Sequence, residues 1–163
     1  MRRLWMIALA IAVITVPALA KTSKAPPIAP PFTLAGLNGS VVLDSLRGRT
    51  VLLDFWASWC GPCRHSFPWM NDFQRRYASK GLTIVAVNLD KDRELAKGFL
   101  AEVPAEFTVA FDPSGKTAES YGVKAMPTTL VISPEGRIVA THTGFDPKKT
   151  AEFEALIAGA LPK

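Results

Sequence analysis

The chain has 163 residues, 48% of them apolar, and 19 Lys and Arg against 14 Asp and Glu give a net charge of +5. This is enough for one domain with a real core and too short for two. The basic residues are scattered, with no stripe interleaved with aromatics, so the charge reads as solvated surface and argues against nucleic acid as a partner.

At the start, Met1-Arg2-Arg3 is a basic region, Leu4 to Val16 is apolar, and Ala18-Leu19-Ala20 is a small-x-small cleavage pattern. Together they make residues 1–20 an export signal. The apolar run is short for a membrane span, so cleavage after Ala20 is expected. The alternative is an uncleaved anchor, which would be the chain's one tie to a membrane. No cysteine lies near this region, which excludes a lipoprotein. Residues 21–31, rich in Pro, Lys, Ser and Ala, read as a linker to a domain spanning 32–163. Phe32-Thr-Leu and Val41-Val-Leu flank Asn38-Gly39, a two-residue hairpin signal.

Thr50 to Phe55 is a near-continuous apolar run, as expected of a central strand covered on both faces, and Asp54 interrupts it. The run leads through Trp59 into Cys60-Gly61-Pro62-Cys63, with helix-forming sequence behind. Cys60 is thereby expected in the first turn of a helix, where unpaired N–H groups and the positive end of the dipole favour a thiolate. Cys63 comes round to the same face, close enough to form a disulfide with Cys60. A low-pKa, attackable thiol beside a resolving thiol is what thiol–disulfide exchange needs, and Cys60 is expected to be exposed and Cys63 buried. A zinc site would need two further ligands, and the chain holds no other cysteine and only His65 and His142. With both cysteines in one motif, no structural disulfide is left for an exported protein.

In the helix that follows, Pro68 cannot donate to the Arg64 carbonyl and predicts a kink. Phe67, Met70, Phe73 and Tyr77 recur at helical spacing as core residues, and His65 reads as an exposed surface residue. Gly81 caps this helix, and Leu82 to Asp90 is a second β-branched strand. A helix at about Arg93–Ala101 and a strand at Phe107–Phe111 precede Pro127. Ser133 to Arg137 forms a turn between strands Thr129–Ile132 and Ile138–Thr143. Asp146 and Pro147 open the last helix as N-cap and first helical residue, and Phe153, Leu156, Ile157 and Ala160 form its core-facing stripe.

The segment Asp54-Phe-Trp-Ala-Ser-Trp-Cys-Gly-Pro-Cys63 resembles the active-site segment of the thioredoxin superfamily. The N-terminal hairpin, the 37-residue span from Asp90 to Pro127, and Tyr121-Gly-Val-Lys-Ala-Met-Pro-Thr-Thr-Leu-Val-Ile resemble the extracytoplasmic TlpA and ResA branch. The resemblance implies an α/β, thioredoxin-like fold. A mixed central sheet would be flanked by helices, with an N-terminal β-hairpin and a helix–strand insertion before the cis-proline loop at Pro127. It implies an exported thiol:disulfide oxidoreductase working as a reductase without a cofactor: Cys60 attacks, Cys63 resolves, and a buried Asp54 moves the resolving thiol's proton. Trp59, Gly61, Pro62, Met126 and Pro127 would form the docking surface.

The implied protein is a periplasmic or otherwise extracytoplasmic monomer. Its partners are disulfide-containing exported proteins, such as those of cytochrome c maturation or copper-site assembly, and a membrane thiol electron donor. Two departures stand out. The glutamate common in the branch is replaced by Ser66, and the lysine usual near the buried acid by Ala86. The alternatives are a thiol peroxidase of the peroxiredoxin type, whose Thr/Ser-x-x-Cys signature is missing before Cys60, and a non-catalytic metal-binding chaperone, for which no Met-rich or His-rich ligand set is present.

Overall fold

The computed structural model describes residues 25–162. The expected export signal and residues 21–24 of the expected linker lie outside these residues. Strands β1 (Thr33–Gly36), β2 (Gly39–Val42), β3 (Thr50–Trp56), β4 (Leu82–Asn88), β5 (Thr108–Phe111), β6 (Thr128–Ile132) and β7 (Ile138–Thr143) form one sheet in the order β2-β1-β5-β4-β3-β6-β7. The helices are α1 (Gly61–Tyr77), α2 (Arg93–Glu102), α3 (Lys116–Ser120) and α4 (Thr150–Gly159). β3, β4 and β5 run parallel, and β6 returns antiparallel to β3, so the sheet is mixed. This is a thioredoxin-like fold.

Alternation along β3 builds two cores. Leu52 and Trp56 face Phe67, Met70 and Phe73 of α1, Phe99 of α2 and Ile157 of α4. Val51, Leu53 and Phe55 face Ala29, Phe32, Leu43 and Ala118 on the other side. Every residue of β3 is buried, which explains its near-unbroken apolar run. Asp54 falls on the α1 face, between Leu52 and Trp56.

Several boundaries differ from the sequence reading. The hairpin tip is Leu37-Asn38 rather than Asn38-Gly39, because the positive φ falls on Gly39 (115°), which pairs with Gly36 to close the turn. A Cβ on Gly36 would come within 2.8 Å of the Gly39 carbonyl, so the close approach also requires glycine there. The strand expected from Phe107 starts at Thr108, and the short helix α3 is an addition to the expected elements. The Asp112 carboxylate, which accepts from the Thr117 and Ala118 N–H groups, supports it. Asp146 caps a single 3-10 turn, Pro147–Lys149, before α4 begins, rather than α4 itself. Leu156, expected in the core stripe of α4, is exposed, while Ile157 is fully buried.

Candidate active site

β3 ends at Trp56, and the chain turns through Ala57-Ser58-Trp59 into α1 with the Cys60 N–H donating to the Ala57 carbonyl at 3.1 Å. Asp90, just past the end of the neighbouring strand β4, pins this turn. Its buried carboxylate accepts from the Ser58 N–H at 2.8 Å, the Ser58 hydroxyl at 2.9 Å and the Asn88 amide at 2.7 Å. Two strand ends and the loop carrying the cysteine are thus tied to one side chain. Sequence reasoning missed Asp90 and Ser58. The signal lay in an acid closing an apolar strand, close to the pattern that singles out Asp54.

Cys60 is the N-cap of α1, and Gly61 and Pro62 occupy its first turn. Proline is tolerated there because the N–H it lacks would have no intrahelical partner. Cys60 and Cys63 form a disulfide, and Cys60 Sγ accepts the Cys63 N–H at 3.3 Å. One orphan N–H of the helix start is therefore aimed at the sulfur that would carry negative charge on reduction. Cys60 is 4% exposed and Cys63 fully buried. The expectation of an exposed Cys60 is therefore corrected for the oxidised state: the disulfide turns its sulfur inward, toward the helix. Trp59 beside it is 70% exposed.

Of the expected docking surface, Trp59, Gly61 and Pro62 are exposed, Met126 is half-buried, and Pro127 is buried. The Met126–Pro127 bond is cis. The Pro127 carbonyl accepts from the Gly144 N–H at 2.7 Å, which ties the cis-proline to the end of β7. The apolar surface open to a partner is thus centred on Trp59. His65 is exposed on α1.

Asp54 is fully buried on the α1 face of the sheet. Its strand neighbour on β4 is Ala86, which carries no charge. On the other side, Thr129 of β6 donates its hydroxyl to Asp54 Oδ1 at 2.7 Å, while Oδ2 has no hydrogen-bond partner among the described residues. Burial pushes the carboxyl up to about 7, and the Thr129 hydrogen bond opposes that shift only in part. Thr129 is the side chain that meets the buried acid, although nothing in its local sequence singles it out. Ser66, standing where a glutamate is common, is buried and donates to the Cys63 carbonyl at 3.1 Å. Among the described residues no three His, Cys, Asp or Glu side chains gather as a metal-ligand set.

The site therefore combines a disulfide at a helix start, an exposed indole and a buried acid titrating near neutrality. Comparison with known proteins agrees with this chemistry. The profile of the Redoxin family matches residues 21–157. The chain is 37% identical over 117 residues to the thiol-disulfide oxidoreductase ResA of Bacillus subtilis (strain 168), covering 71% of this chain and 65% of that protein. It is 33% identical over 125 residues to ResA of Bacillus thuringiensis subsp. konkukian (strain 97-27), covering 76% of this chain and 72% of that one. A Chlorobium tepidum crystal structure assigned as thiol:disulfide interchange protein DsbE superposes with a TM-score of 0.81 at 52% identity, covering 83% of this chain and 96% of that one. The chain belongs to the Redoxin family and, within it, to the ResA-like thiol-disulfide oxidoreductases.

Proposed function

We propose that this protein is exported from the cytoplasm and reduces disulfides in other exported proteins. Cys60 is the attacking thiol, Cys63 the resolving thiol and Asp54 the group that takes the proton from Cys63. The observation that carries this reading is the placement of the pair: Cys60 Sγ caps the start of α1 while Cys63 is buried one turn along it. In the reduced protein the helix start favours a thiolate on Cys60. That thiolate attacks a substrate disulfide, forming a mixed disulfide and releasing one substrate thiolate. Cys63 passes its proton to Asp54, and the new thiolate attacks Cys60 Sγ. The second substrate thiolate leaves, and the Cys60–Cys63 disulfide is re-formed with both electrons delivered to the substrate.

The exposed Trp59 supplies an apolar platform for transient contact with an extended segment. Export rests on the N-terminal sequence pattern, and no described helix is long and apolar enough to cross a membrane. In an oxidising compartment the disulfide must be re-reduced, so a membrane thiol donor is the second partner. Candidate substrates are proteins of cytochrome c maturation or copper-site assembly.

A trapping experiment tests the assignment. In Cys63→Ser the mixed disulfide on Cys60 cannot be resolved, so exported substrates accumulate as adducts that dithiothreitol releases. Adducts on Cys60→Ser instead would reverse the roles of the two cysteines.

A further inference from the structure

A narrow cleft lies against Thr129, the hydrogen-bond partner of the buried acid, between α1, strands β6 and β7 and the loop leading to α4. Its lining includes Ser66, Met70, Thr129, His142, Gly144 and Phe145, and it has room for about 20 Å³, the space of one water molecule. Thr129 and His142 are directly paired across β6 and β7, so their side chains stand on the same face of the sheet. Thr129 is the residue whose hydroxyl reaches Asp54. His142 is half-buried against the Phe153 ring and also borders a second, solvent-facing hollow with Lys149 and Glu152. Asp54 is thus joined to the cleft through Thr129, and the cleft to the solvent-facing hollow through His142.

We infer that Asp54 exchanges its proton with solvent through this cleft, from the carboxyl to the Thr129 hydroxyl, to a cleft water, and to the imidazole of His142. The inference rests on the proposed role of Asp54 as proton carrier. Cys63 loads Asp54 with a proton when it resolves a mixed disulfide, and re-reduction can return it; between the two steps the buried carboxyl equilibrates with solvent by whatever route the fold leaves open. The disulfide side offers no exit, because Cys63 is fully buried and Cys60 nearly so. From the protonated acid, Oδ1–H passes its proton to Thr129 Oγ1 while Thr129 passes its own to the water and the water passes one to His142. The net result is a carboxylate, an imidazolium and an unchanged hydroxyl and water. Afterwards Thr129 donates to Asp54 Oδ1, the arrangement the structure shows.

The surroundings fit a directional path. Among the described residues Asp54 meets no charged group from its neighbours on α1, β4 or β6, whereas His142 has Asp146, Lys149 and Glu152 around it at the mouth. Only the outer end of the route carries charge that solvent can stabilise. Histidine suits that end because its ring can take a proton on one nitrogen and give one up from the other.

The test follows the Asp54 proton itself. The oxidised protein, held below neutrality, is mixed rapidly with D2O, and the carbonyl stretch of the protonated carboxyl is followed; Asp54→Asn identifies the band by removing it. His142→Ala and Thr129→Val are each expected to slow the exchange by roughly tenfold or more. Added imidazole is expected to restore His142→Ala but not Thr129→Val, and His142→Gln, which keeps a polar group without a titrating one, should remain slow. Unchanged exchange in either His142→Ala or Thr129→Val, or a slow His142→Ala that imidazole leaves slow, would overturn the route. The catalytic reading fails separately: if Asp54→Asn resolves mixed disulfides at the wild-type rate, Asp54 is no proton carrier in turnover, whatever path its proton takes.

Discussion

Asp54 carries a cost that the other buried acids do not share. Asp90 accepts three hydrogen bonds and Asp112 accepts from two backbone N–H groups and the Ser114 hydroxyl, whereas Asp54 has one donor and an unpaired oxygen. Its carboxyl is raised from 3.8 to about 7 in the folded protein, chiefly by burial. A raised acid binds its proton more tightly in the folded state, so between those values the folded protein holds more protons than the unfolded chain. Stability therefore falls as pH rises from about 4 to about 7 and then levels off, a loss on the order of 4 kcal/mol. Asp54→Asn should be the more stable protein at pH 8, by up to about 4 kcal/mol, with the advantage shrinking to nothing near pH 4. Urea unfolding at a series of pH values measures this. A parallel pH dependence of the two proteins would show that the carboxyl is not desolvated. The same variant should resolve mixed disulfides more slowly, trading activity for stability. The two cysteines and Asp54 are legible in the sequence because chemistry at a fixed short spacing announces itself. Thr129 and His142 are not: Thr129 meets Asp54 across 75 residues of chain, and only the β3–β6 register brings them together.

Elements are most legible where a period runs unbroken. β3 and β4 are buried along almost their whole length and appear in the sequence as apolar runs, and α1 shows its core face at Phe67, Met70 and Phe73. Short elements leave no such trace: α3 spans only Lys116–Ser120, too few residues for any period to show. The last helix differs in detail from its sequence pattern. The 3-10 turn at Pro147–Lys149 puts the start of the α-helix at Thr150, and within α4 Leu156 lies about 60° round the axis from Phe153, at the edge of the stripe. Leu156 then points outward, 44% exposed, while Ile157 alone is fully buried. The two neighbours should respond very differently to truncation. Ile157→Ala is expected to cost about 2–5 kcal/mol, through lost burial and the cavity left under α4. Leu156→Ala should stay within roughly 0.5 kcal/mol. Denaturant midpoints of the two variants decide the matter, and comparable losses would mean that both side chains are packed.

For the whole molecule, the direction of electron flow is set by how the fold treats a charged Cys60. Proteins that run the same exchange chemistry span about −270 mV for thioredoxin to about −120 mV for DsbA, a difference of roughly 7 kcal/mol for two electrons. The more a protein stabilises the thiolate, the more oxidising its disulfide becomes. Here the stabilisation is limited to the start of α1 and the Cys63 N–H. Gly61 and Pro62 place no charge or side-chain dipole between the sulfurs, where DsbA has Pro-His, and Met126 offers only an apolar side chain. On the proposed reading Asp54 acts in the same sense, since a carboxylate within proton-transfer reach of Cys63 disfavours a second negative charge in the low-dielectric interior. On that reading, the apolar surroundings and the buried acid together outweigh the helix start, the balance expected of a protein that gives electrons away. Equilibration against glutathione buffers, read by the fraction of Cys60–Cys63 oxidised, should place the couple nearer thioredoxin than DsbA. Asp54→Asn, by removing the buried carboxylate, should shift it toward the oxidising side above neutral pH and leave it little changed well below. A couple as oxidising as DsbA would mean that the helix start outweighs everything else around Cys60, and the protein would then insert disulfides rather than remove them.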